Sequence, residues 1–198
     1  MTPTKDYAAI SQFILQELTA KLSPQLTYHG VHHVLDVLNV CNEYIERLGI
    51  GAKDAELLRV AALTHDIGFV HDHRDHEARG AAMIREILPA YGFKPRELDK
   101  LAGLIMATKV PQQPKTELEK IICDADLDYL GRADFEPISE TLFQELQNLN
   151  LLHDRRNWDE IQVKFLTSHT YHTDFARQNR QPQKAQRLEE IKRRLMKE

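Results

Sequence analysis

The chain has 198 residues, of which 42% are hydrophobic and 28% charged, with a formal net charge of -4 and a pI of about 6.2. That length and composition suit one soluble globular domain with a real core. A mildly acidic chain argues against binding a nucleic-acid polymer, which needs clustered Lys and Arg to displace counterions, and no stretch approaches the roughly 20 apolar residues of a membrane span.

The opening MTPTKDYAAI lacks a basic region followed by a long apolar run, so no signal peptide is expected and the cytoplasm is the expected compartment. Nearly every later segment has helical rather than alternating period, so the expected fold class is all-α. Ile10, Phe13, Ile14 and Leu18 form the apolar stripe of a first helix that ends before Pro24. A second runs from Val34 through Val37, Cys41, Tyr44 and Ile45 to Leu48, stopped by Gly49. Further helices are predicted over 55–64, 78–88, 98–107, 118–130, 138–149, 158–167, 171–180 and 185–196, with irregular loops at 66–76 and 109–116. The last carries an apolar stripe of Leu188, Ile191 and Leu195 on a solvated amphipathic helix. The helix around Trp158 reads as core. Tyr171, His172, Arg177 and Arg180 are candidates to close over a small molecule. Cys41 and Cys123 lie in apolar stretches and are expected to be buried reduced thiols.

Four polar side chains interrupt these apolar helices: His33, His65, Asp66 and Asp126. Burying such groups is costly unless they are paired or bind a metal, and two imidazoles with two carboxylates suit one divalent transition metal. Chance predicts about 0.7 His-Asp dipeptides at this composition. The chain contains three, and only His65-Asp66 follows a long apolar helix, LLRVAALTHDIG. Gly68, just beyond, is expected to end that helix in the left-handed region. His29 and His33 are four residues apart, which would stack them on one helical face. In EKIICDADLDYLGR, Asp124 and Asp128 fall on one side of a helix and Asp126 on the other. Spacing does not choose among these three.

The order His33, His65-Asp66, Asp126 resembles the metal site of the HD-domain superfamily of metal-dependent phosphohydrolases. YHGVHH is similar to the Tyr-His-x-x-x-His signature of cyclic-nucleotide phosphodiesterases, AALTHDIG to the His-Asp motif with its apolar lead-in, and CDADLDYLG to the segment carrying the last ligand. The resemblance implies a single all-α bundle over 1–198, in which 26–132 forms the metal-binding core and 133–198 completes the bundle with further helices. It selects Asp126 and implies that His33, His65, Asp66 and Asp126 hold a divalent ion (Mn, Mg, Fe, Co, Ni or Zn): one ion, or two sharing Asp66 as a bridge. His29 takes the position of a general acid that protonates the leaving oxygen. His76, in HEARGA, resembles a histidine that meets a second metal or the phosphate. Lys109 and Arg132 flank the proposed pocket in sequence and are candidate phosphate ligands. Where binuclear relatives place another histidine after the fifth helix, this chain reads IMATKVP.

The implied activity is hydrolysis of a phosphoester, on a nucleotide or another small phosphorylated molecule, by metal-activated water. No nucleic-acid polymer or membrane partner is expected, and nothing in the sequence bars a homo-oligomer. The alternative is a non-catalytic HD module that keeps the ion for structure or ligand sensing. Di-iron oxygenase chemistry would need more histidine ligands than the sequence supplies.

Overall fold

Helices form wherever the sequence shows a 3.6-residue apolar period, in a computed structural model that describes residues 5–197. The described residues include ten α-helices and no strand, and none of these helices is long and apolar enough to cross a membrane. The chain divides into two compact units.

The first unit takes the residues up to Ser23 together with His29–Asp126. Helix α1 (Tyr7–Lys21) is capped by Asp6, whose carboxylate accepts from Ala9 N at 3.1 Å, and buries Ile10, Ile14 and Leu18 at four-residue spacing. Helix α2 (Val31–Leu48) ends at Gly49, as the sequence predicts, and the glycine forms a left-handed C-cap with φ of 61°. Helix α3 (Ala52–Thr64) buries Leu57, Leu58 and every residue from Val60 to Thr64. A helix end buried on every side must be surrounded, and α3 packs against α1, α2, α5 (Pro95–Ala107) and α6 (Glu117–Asp126). Helix α4 (His76–Ile87) lies along α5 and a 3-10 turn, Ile67–Val70. That turn lies inside the stretch 66–76 expected to be irregular. Cys41 and Cys123 are buried, free thiols, and burial pushes both well above the usual thiol range.

The second unit takes Pro24–Tyr28 and the chain from Leu127 onward. Tyr28, Tyr129, Phe135, Leu166, Tyr171 and Ile191 form its main core, with α7 (Phe135–Asn148), α8 (Arg155–Ser168), α9 (Asp174–Asn179) and α10 (Gln181–Leu195) around it. Trp158 packs with Phe143 and Leu152 in a second cluster, so it is core as expected. Asp159 is fully buried and receives two bonds from the Arg194 guanidinium, at 2.5 and 2.6 Å.

Three expectations need correction. The helix predicted over 118–130 ends at Asp126 and is followed by a 3-10 turn, Asp128–Gly131, whose three-residue period keeps the apolar side chains inward. The helix predicted from Tyr171 begins at Asp174, because the Thr173 hydroxyl caps it by accepting from Ala176 N. Gly68 is not left-handed; positive φ among the described glycines occurs at Gly49 and Gly92. Its requirement is space: a Cβ on Gly68 would lie 2.0 Å from the backbone oxygen of His76.

Gly68→Ala should therefore cost roughly 1–3 kcal/mol, as overpacking against backbone does. At about 2–4 °C per kcal/mol for a chain of this size, thermal denaturation should show the loss clearly. Gly103→Ala in α5, where a Cβ meets only Glu119 Oε1 at 3.5 Å, should leave Tm unchanged or raise it. Equal Tm values for the two variants would contradict the close-approach argument.

Candidate metal centre

Three helices of the first unit present their ends to one point. His33 is in the first turn of α2, His65 and Asp66 directly follow α3, and Asp126 is the last residue of α6. The C-terminal ends of α3 and α6 carry partial negative charge and favour a cation. The apolar sides of α3 explain the burial: His65 is 1% exposed and Asp66 4%.

His33, His65 and Asp66 each place a donor atom within 4.8 Å of the others, a grouping that could hold a metal ion. The Nε2 atoms of His33 and His65 are 3.3 Å apart. Asp126 Oδ1 is 3.1 Å from His33 Nε2 and 3.6 Å from His65 Nε2. Asp66 Oδ2 is 3.3 Å from His65 Nε2 and 3.6 Å from His33 Nε2. Yet Asp66 Oδ2 is buried and receives no hydrogen bond among the described residues.

The protonation of His65 sharpens this. Its Nδ1 sits 2.9 Å from the carbonyl oxygen of Ala62, an acceptor only, so Nδ1 carries the proton. In the neutral ring Nε2 is then a lone pair, aimed at another imidazole nitrogen and two carboxylate oxygens. Such an array favours a positive charge in its midst, either a proton or a metal ion. Burial alone would lower the His65 pKa, but Asp66 and then Asp126 outweigh it and push the ring up to about 9. Burial alone would raise the Asp66 carboxyl, but His65 foremost holds it well below the usual carboxylate range. The donor set of two imidazole nitrogens and two carboxylates fits a divalent transition metal.

The second oxygen of Asp66 faces another histidine. His76 Nδ1 donates to His73 O at 3.2 Å, which leaves His76 Nε2 3.5 Å from Asp66 Oδ1 and 3.5 Å from Glu77 Oε1. Sequence reading missed Glu77, which is buried at 7% exposure; its signal was a carboxylate directly beside His76. It also missed Phe69, whose ring lies 4.2 Å from that of His29 and 4.1 Å from that of His76. His29 precedes α2 rather than sharing its face with His33, and the two rings meet edge to face at 6.1 Å.

Other candidates are engaged elsewhere. Lys109 is exposed and donates to Asp75 at 2.8 Å. Arg132 belongs to the second unit, where Asp134 accepts two bonds from it at 2.8 and 2.9 Å. Asp124 is fully buried, and Asp128 accepts from Arg180 at 2.8 Å. Tyr171 does not stand open as a cover for a small molecule; it is buried, and its hydroxyl lies within 3.3 Å of Leu127 O.

Residues 30–128 match the family model of the HD domain, a span that contains all four side chains of the centre. The fold is similar to the crystal structure of a predicted HD superfamily hydrolase from an uncultured Thermotogales bacterium, with a TM-score of 0.61 and 21% sequence identity over 94% of this chain and 91% of that one. At that identity the likeness is one of fold. No curated protein matches the chain. The family match covers half of the sequence and takes in the whole buried cluster: the chain belongs to the HD-domain family.

Proposed function

We propose that this protein is a metal-dependent hydrolase of a phosphoester, acting on a nucleotide or another small phosphorylated molecule. The observation that supports it most is Asp66 Oδ2, buried without a hydrogen bond beside two imidazole nitrogens. His33, His65, Asp66 and Asp126 would hold the ion. A divalent cation supplies Lewis acidity there, lowering the pKa of water and offsetting charge on phosphoryl oxygens.

The chain's own residues divide the remaining work. Asp66 turns Oδ2 toward His33 and His65 and Oδ1 toward His76, so it would hold the ion, or a second one beside it, and would fix His76 against the substrate. His29, held by the ring of Phe69, carries the proton to the leaving oxygen; imidazole suits this task near neutral pH. The low exposure of His33, His65 and Asp66 strengthens each electrostatic contact by keeping water away. Lys109 and Arg132 have no part in this reading, because each cation already has a carboxylate partner.

The direct test is a panel of phosphomonoesters and phosphodiesters, with the purified protein supplied in turn with manganese, cobalt and nickel. Release of phosphate or nucleoside is expected, and silence across the panel would remove the proposal's support. His29→Gln should lower kcat by about 10²–10⁴-fold while leaving metal content unchanged. Loss of metal in that variant would instead make His29 part of the donor set.

Metal uptake should also depend on pH. In the metal-free protein the His65 pKa rises from 6.5 to about 9. The stability it adds is fully present below 6.5 and is lost as pH rises through 9. An ion must displace that proton, so its apparent affinity should climb with pH toward 9, by up to roughly tenfold per unit. Calorimetric titration with manganese at pH 6, 7 and 8 would show this; a flat affinity would contradict it.

A further inference from the structure

The second unit buries a positive charge for which the described residues supply no counter-ion. Lys184, on α10, is 2% exposed. Its ammonium donates to His169 O and to His169 Nδ1, the latter at 3.2 Å, and lies 5.5 Å from the centre of the Tyr171 ring. No carboxylate pairs with it among the described residues. The buried carboxylates of this unit are committed elsewhere: Asp128 to Arg180, Asp159 to Arg194, and Glu145 to the backbone N–H of Tyr28 at 2.8 Å. Burial lowers the Lys184 pKa to about 8, so the amine still carries its proton at pH 7.

His169 adds an unsatisfied donor beside this unpaired charge. Because Nδ1 accepts from Lys184, the ring proton belongs on Nε2. That Nε2 is buried and has no hydrogen-bond partner among the described residues. Burial and the Lys184 charge hold the His169 pKa near 3, so the ring stays neutral and cannot relieve the mismatch by changing charge. His172 adds to the positive field at the same ring. A buried ammonium without a counter-ion beside a buried N–H without an acceptor is costly unless an anion completes the pair.

We propose that Lys184 and His169 form a binding centre for a phosphate group, distinct in its residues from the His33, His65, Asp66 and Asp126 cluster and independent of the function assigned to that cluster. Phosphate supplies what the pair lacks: negative charge for the ammonium and an acceptor oxygen for the orphan N–H of His169.

The test uses the full chain stripped of metal with EDTA, at pH 7, so that no metal-bound phosphate contributes. Inorganic phosphate at 10-millimolar order, compared with chloride at equal ionic strength, should raise wild-type Tm by about 3 °C. Lys184→Met, which keeps the side-chain volume and removes the charge, should show no such rise. In wild-type protein labelled with 15N-histidine, the His169 ring nitrogens should shift saturably with phosphate, and this measurement stands even where the variant folds poorly. Glycerol 2-phosphate serves as the second arm: an equal effect means the centre accepts a phosphoryl group on an organic molecule, and an effect of inorganic phosphate alone means it takes the free ion. Unmoved His169 resonances, or equal phosphate shifts of Tm in wild type and Lys184→Met, would overturn the proposal.

Discussion

A carboxylate oxygen and two imidazole nitrogens cannot share a dry space unless something positive stands among them. Asp66 Oδ2, His33 Nε2 and His65 Nε2 are in that position, and much of the first unit is arranged to keep them there. Helix α3 is buried without a break from Val60 to Thr64, so the residues that follow it have little freedom to reach solvent. The bond from His65 Nδ1 to Ala62 O turns the ring and sets which nitrogen faces the centre. In the metal-free protein a proton fills the role, which is why the His65 pKa rises despite burial. An ion would take the same place and satisfy the same electrostatic demand.

The same constraint explains the backbone around the centre. After Asp66 the chain makes a 3-10 turn tight enough for Gly68 to meet the backbone of His76, and only a residue without a Cβ permits that approach. The contact brings the start of α4 to Asp66, placing His76 against Oδ1 while Oδ2 faces the other two histidines. Phe69, on that turn, touches the rings of both His29 and His76. A single short turn therefore touches two imidazole-bearing segments outside α3, that of His29 and that of His76.

Much of this was legible in the sequence, for identifiable reasons. Ile10, Ile14 and Leu18 announce α1 by period, and Gly49 ends α2 because a left-handed C-cap is a local requirement. His33 and His65-Asp66 stood out because they interrupt apolar runs. What remained hidden depends on contacts distant in sequence. The period of 118–130 stays apolar through the change from α-helix to 3-10 turn, so the break after Asp126 left no trace in it. The choice among Asp124, Asp126 and Asp128 was not open to spacing, since all three lie on one short stretch; the structure brings Asp126 within 3.1 Å of His33 and gives Asp128 to Arg180. Lys109 and Arg132 looked available, but Asp75 and Asp134 hold them. The sequence did not single out Lys184, because burial of a lysine cannot be inferred from its neighbours in sequence.

The central claim is that the first unit's buried cluster holds a divalent cation through Asp66. Metal content by mass spectrometry tests it most directly, on wild-type and Asp66→Ala proteins loaded with manganese, freed of excess ion and checked for folding by circular dichroism. The account predicts about one equivalent or more in the wild type and a folded variant that retains almost none. Equal metal in both proteins, or none in the wild type after loading, would show that the cluster is a proton-bridged polar core and would contradict the account.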